Sequence, residues 1–195
     1  MPITDKKETA KTRILRVASY LFYREGVRAV GIDRIIAESG VAKASFYRNF
    51  ATKDDLVVAY LEQFYDTFMK PFDEVKARHP EEPVKQLYEL IESLGARIDT
   101  PGYRGCPFAN TAVEFPNPDH PTYEIVMRYH TDTRHNLALA AEQAKAAEPN
   151  TLADQLLMLF NGALITAYLD RASYSSEHFA HAAKLLIQHQ LTKKA

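Results

Sequence analysis

One cysteine, Cys106, in a chain of 195 residues excludes an internal disulfide. Met-Pro-Ile-Thr-Asp-Lys-Lys-Glu at the N-terminus has no apolar stretch behind its charges, so no secretory signal is expected. No apolar run reaches the roughly 20 residues that span a bilayer, so no membrane partner is expected and a cytoplasmic location fits. Period-two alternation bounded by turns is missing as well, which excludes a sheet protein. A glycine-rich phosphate loop and a G-x-S-x-G elbow are both lacking, which argues against a nucleotide-binding enzyme or a serine hydrolase. Of the seven histidines, His178 and His181 share a helix face at i, i+3, but no third ligand lies nearby. No metal or other cofactor is therefore expected. An enzyme and a plain helical adaptor are the rival classes to set against what is present.

What is present is charge asymmetry and helical period. Apolar residues make up 46% of the chain, enough for a core, and the net charge is only −1. Residues 1–53 nevertheless carry eleven Lys/Arg against five Asp/Glu, and the remainder thirteen against twenty. A basic first quarter before an acidic remainder points to contact with a polyanion.

The punctuation predicts an all-α chain of about nine helices, over residues 6–25, 32–39, 43–50, 52–76, 83–98, a short one from 107, 121–147, 151–171 and 175–191. Ile14, Leu15, Ala18, Leu21 and Phe22 form one stripe on the first, and Gly26 stops it. Thr52-Lys53-Asp54-Asp55 and Thr151-Leu152-Ala153-Asp154 read as capping boxes. Pro107 suits a first helical position, and Ser175 a cap. Two domains are expected, residues 1–51 and 52–195.

The second and third helices, joined at Gly40-Val41-Ala42, make a helix-turn-helix. The second member normally enters the major groove, and its polar side carries Lys43, Ala44, Ser45, Tyr47 and Arg48. Val41, Phe46 and Phe50 keep the spacing for packing.

The stretch TRILRVASYLFYREGVRAVGIDRIIAESGVAKASFYRNFATKDDLVVAYL resembles the DNA-binding domain of the TetR/AcrR family along its length. Gly40-Val41-Ala42-Lys43-Ala44-Ser45-Phe46-Tyr47-Arg48-Asn49-Phe50, followed by Lys53-Asp54-Asp55-Leu56, is the most specific part. The resemblance implies a transcriptional regulator, of which repression is the commoner mode, bound to operator DNA as a homodimer. It also implies phosphate contacts by Tyr47 and Lys53, with Thr52 beside them, and places Lys43, Ala44, Ser45 and Arg48 near base edges. Gly31 and Ala42 stand where the family often has Ser or Thr. Those caps are weaker by about 1 kcal/mol, and Arg34 is the candidate to replace a lost phosphate contact.

The resemblance places a ligand cavity in the second domain. Phe64, Phe68, Tyr88, Phe108, Tyr123 and Met127 are its candidate lining, suited to an apolar or aromatic effector. Leu156, Phe160, Ala163, Leu164, Ala183, Leu186 and Ile187 on the last two helices are the candidate dimer interface, as a four-helix bundle across a two-fold axis, or else they cap a monomer. Cys106 precedes a helix start, where the positive helix end favours thiolate. The segment from Gly105 to Glu114 resembles a Gly-Cys segment in a TetR subgroup of the NemR type. Cys106 is thus either a redox or electrophile sensor or a small buried thiol.

Overall fold

The computed structural model describes residues 8–171 and 174–193, and among them it consists of nine α-helices and no strand. In order they are α1 (Ala10–Glu25), α2 (Ile32–Ser39), α3 (Lys43–Asn49), α4 (Lys53–Arg78), α5 (Pro83–Ile98), α6 (Pro107–Glu114), α7 (Tyr123–Gln143), α8 (Pro149–Leu169) and α9 (Ser176–Thr192).

Most ends follow the chemistry of the cap residues. The Thr52 hydroxyl accepts from the Asp55 N–H at 3.0 Å, and the Asp55 carboxylate accepts from the Thr52 N–H at 2.9 Å, a complete capping box. Ser175 accepts from the Glu177 N–H as the cap of α9.

Other ends differ from expectation. Lys6, the expected start of the first helix, lies outside the described residues, and α1 begins at Ala10 because the Thr9 hydroxyl accepts from the Thr12 N–H. The alanine-rich stretch after Gln143 does not continue α7. Lys145 takes φ 60, and the Ala146 and Lys145 amides turn back to the carbonyls of Ala141 and Glu142. This is a Schellman close with lysine in the left-handed position that glycine usually fills. α8 begins at Pro149, a favourable first helical residue. Its expected capping carboxylate, Asp154, is instead held by Arg134 at 2.5 and 3.0 Å. Pro71 sits inside α4.

Packing divides the chain into two compact units, one of Met1–Phe64 with Pro107–Val126 and one of Tyr65–Cys106 with Met127–Ala195. That division departs from the expected boundary at residue 51/52. The early turns of α4 bury Leu56, Val57, Tyr60 and Leu61, and Tyr60 meets Phe22 of α1 edge-on at 5.6 Å. In this first unit α1 packs on α2 and α3 around Ile14, Leu21, Ile35 and Phe46.

In the second unit α5, α8 and α9 pack on one another around Leu87, Ile91, Leu156, Phe160, Phe179 and Ile187. α8 is long and apolar enough on average to pass for a membrane span, although Asp154, Gln155 and Asn161 interrupt any continuous apolar run. Its apolarity is used inside the unit, where Leu152, Leu156, Phe160 and Ala163 are buried.

Candidate nucleic-acid interface and effector region

Gly40 makes the turn between α2 and α3 possible. It adopts φ 63, ψ 27 and donates back to Ile36 and Ala37, a left-handed conformation that other residues enter at a cost. Gly31 and Ala42, the caps of α2 and α3, make no side-chain capping bond. α3 then sorts its side chains by helical period. Phe46 and Phe50, four apart, are buried. Lys43, Ala44, Tyr47 and Arg48 stand exposed together on the other side, with Ser45 half-buried between the two. Tyr47 leaves 44% of its surface open, its ring resting edge-on against Phe46.

The supporting cations are placed less simply. Arg34 donates to both Glu25 oxygens at 2.5 and 2.8 Å and to Glu38 at 2.7 Å. In the free protein its charge is already matched by these two carboxylates. Lys43 lies 3.3 Å from Asp33 but stays largely exposed. The Lys53 ammonium donates to the Val27 carbonyl at 2.6 Å and approaches the face of Phe22. Burial lowers its pKa, against the pull of Glu114 and Asp54. Thr52 is exposed, with its oxygen engaged in the capping box.

Glu114, at the end of α6, was not foreseen. Its carboxylate accepts from the Val27 and Arg28 amides at 3.0 and 2.6 Å. The α1–α2 turn is therefore held by Glu114 on its N–H groups and by Lys53 on a carbonyl. Gly26 adopts φ 93, and a Cβ there would come within 3.2 Å of Glu114. Arg28 lies over Phe115 at 5.1 Å, and Phe115 stacks on His120 at 4.2 Å. No local pattern announces a contact spanning 87 positions.

The six expected effector residues fall in both units. Phe64, Phe108 and Tyr123 belong to the first, where Phe64 stacks on Tyr23 at 5.7 Å, Phe108 is buried and Tyr123 is 40% exposed. Phe68, Tyr88 and Met127 belong to the second. Tyr88 lines an open cavity of about 350 Å³ with Glu82, Pro83, Val84 and Lys85.

Phe68 sits at a denser cluster. The Arg97 guanidinium lies 4.3 Å from its ring centre and donates to its backbone carbonyl and, at 3.1 Å, to the Tyr129 hydroxyl. Burial, with Cys106 nearby, pushes the Tyr129 phenol up to about 12. Met69 and Thr133 meet beside it, and the partly buried Cys106 packs on the same unit's core. Nearby, Tyr65 donates to Asp132 and carries Arg128 over its ring. Sequence inspection missed Arg97, because a lone basic residue in the last turn of a helix reads as a solvated end.

The expected dimer residues require correction. Leu156, Phe160, Ala163, Leu164, Ala183 and Ile187 are buried within the subunit itself, and Leu186 packs partly against the same core. They have little surface left to give a partner. The apolar residues that α8 and α9 expose are Met158 (66%), Ile165 (55%), Leu169 (76%) and Leu185 (54%). Gly162 lies among those of α8 with nothing near its missing side chain.

Comparison with known proteins agrees with this architecture. The model for tetR-family bacterial regulatory proteins matches residues 14–60, and that for the Tetracyclin repressor-like C-terminal domain matches residues 83–184. A TetR-family transcriptional regulator from Streptomyces coelicolor superposes with a TM-score of 0.88 at 31% identity, over 93% of this chain and 96% of that one. The reduced form of NemR from E. coli shares the fold at TM-score 0.77 and 18% identity, over 91% and 97%. An HTH-type transcriptional regulator of Staphylococcus aureus strain USA300 is 35% identical over 72 residues, 37% of this chain and 38% of that protein's length. The chain belongs to the TetR family of bacterial regulatory proteins, a family of transcription factors and not of enzymes.

Proposed function

We propose that this protein is a homodimeric transcriptional repressor that binds operator DNA through α3 and releases it when a small apolar or aromatic effector binds the second domain. Functionally the chain divides into a reading part, residues 1–51, and an effector and dimerisation part, residues 52–195. The observation that carries the reading is the sorting on α3: Phe46 is fully buried while Lys43, Ala44, Tyr47 and Arg48 are presented together. In a major groove, lysine and arginine reach guanine edges and phosphates, and an exposed tyrosine hydroxyl reaches phosphate. Lys53 remains a candidate phosphate contact, since an ammonium has three donors and one is spent on Val27.

Two copies are needed to place two recognition helices on one duplex face, and the exposed Met158, Ile165, Leu169 and Leu185 supply an apolar surface for that pairing. Operator release requires only that the effector favour the state that does not bind DNA. A hundredfold loss of affinity corresponds to about 2.7 kcal/mol of coupling.

A second reading, release by thiol modification, rests on Cys106 immediately before the first residue of α6, the helix whose last residue is Glu114. A mobility-shift assay with the DNA upstream of the protein's own gene tests the first reading: a specific complex supports it, and equal affinity for random duplex rejects it. Treatment with N-ethylmaleimide tests the second, which fails if the complex with wild-type protein survives complete alkylation.

A further inference from the structure

Arg97 differs from Arg16, Arg34, Arg78 and Arg134 in what answers its charge. Those arginines each face a carboxylate at 2.5–2.9 Å. Arg97 is half-buried, and among the described residues no carboxylate lies within 4.0 Å of it. Its hydrogen bonds go to two neutral groups, the Tyr129 hydroxyl and the Phe68 carbonyl. The C-terminal end of α5, where Arg97 sits, supplies roughly half a compensating charge. Two of the five guanidinium N–H groups are used, which leaves three for a further acceptor. Phe68 lies against it, and its hydroxyl partner Tyr129 is joined by Thr133, which in turn meets Met69.

We propose that Arg97 anchors an anion subsite in the second unit, and that the effector is a small aromatic or apolar acid. Its carboxylate pairs with the guanidinium and its body packs among Phe68, Met69 and Tyr129. This deepens the effector reading above and rests on it. A planar carboxylate matches the guanidinium fork, and a charge-assisted pair outcompetes a neutral carbonyl. The contact it displaces is informative. The Phe68 carbonyl lies three residues before Pro71, the residue that removes an N–H from the middle of α4. An arriving anion therefore takes a donor from α4 close to the turn where Pro71 offers no N–H.

The test uses the full chain and matched probes: benzoate, phenylacetate and 1-naphthoate against their primary amides, titrated by calorimetry at pH 7. At least one acid should bind roughly tenfold or more tighter than its amide. Arg97→Gln should bring that ratio close to one, with the helical circular dichroism unchanged. Should Arg97→Gln fail to fold, Arg97→Lys, which keeps the charge without the fork, should bind the acid more weakly than wild type while still preferring it to the amide. Amides binding as well as acids, no acid binding at millimolar concentration, or a preference that survives Arg97→Gln would each overturn the anion subsite. A parallel mobility shift separates this from failure of the wider reading. If an amide releases operator DNA, an effector exists and only its charge class is wrong; if no operator is bound at all, calorimetry still decides the subsite.

Discussion

α3 and α8 turn opposite chemistry outward. α3 buries Phe46 and exposes two cations and a tyrosine, whereas α8 buries Phe160 and exposes Met158, Ile165 and Leu169. Both helices also bury an apolar side, so their function is carried by what each leaves over after packing. A charged remainder suits a polyanion, where lost counterions drive binding. An apolar remainder on a surface suits a protein partner.

The comparison breaks most severely if the buried side of α8 is altered. Phe160→Ala should cost about 3–5 kcal/mol of folding stability, read by chemical denaturation, because it empties a packed site. A change below 1 kcal/mol would mean Phe160 is not core. Ile165→Glu, on the exposed side, should instead leave the circular dichroism intact and yield monomers at micromolar concentration in sedimentation. A dimer of unchanged strength would move the pairing surface elsewhere.

On α3, Arg48→Ala should reduce preference for operator over random duplex by roughly 1–3 kcal/mol, if its fork reaches a guanine. Equal losses on both duplexes would make it a phosphate contact. Lys53→Met should lower the salt slope of DNA binding by about one and cost roughly 1 kcal/mol of stability for the lost bond to Val27. An unchanged slope would leave Lys53 with a structural role alone.

The smallest effect concerns Tyr129. Burial lifts its phenol from 10.0 to about 12. The folded state therefore resists ionisation that the unfolded chain accepts, and stability should decline as pH rises between about 10 and 12. Thermal midpoints of Tyr129→Phe should decline less over that window, and identical declines would place the phenol in solvent.

Local chemistry made much of this legible in advance. The Thr52 box, Gly40 and the proline at 107 act over three or four residues, so the start of α4, the end of α2 and the start of α6 followed from sequence. The close of α7 did not, because Lys145 in the left-handed position carries no signature of its own. The sides of α8 were misassigned for a different reason. A helix apolar on more than one face does not disclose which face the subunit covers, and only packing against α5 and α9 settles it. Glu114 and Arg97 act on residues 86–87 and 29–32 positions away, and a single sequence holds no trace of such pairs.

Footprinting of the full chain on the DNA upstream of its own gene, at about 0.15 M salt, tests the central claim most directly. Two protected half-sites should lie on one face of the duplex, roughly 34–36 Å apart or a multiple of that, and Arg48→Ala should weaken both at specific base positions. Protection spread evenly along the duplex, unchanged by Arg48→Ala, would contradict the account of α3 as the reading helix of a dimer.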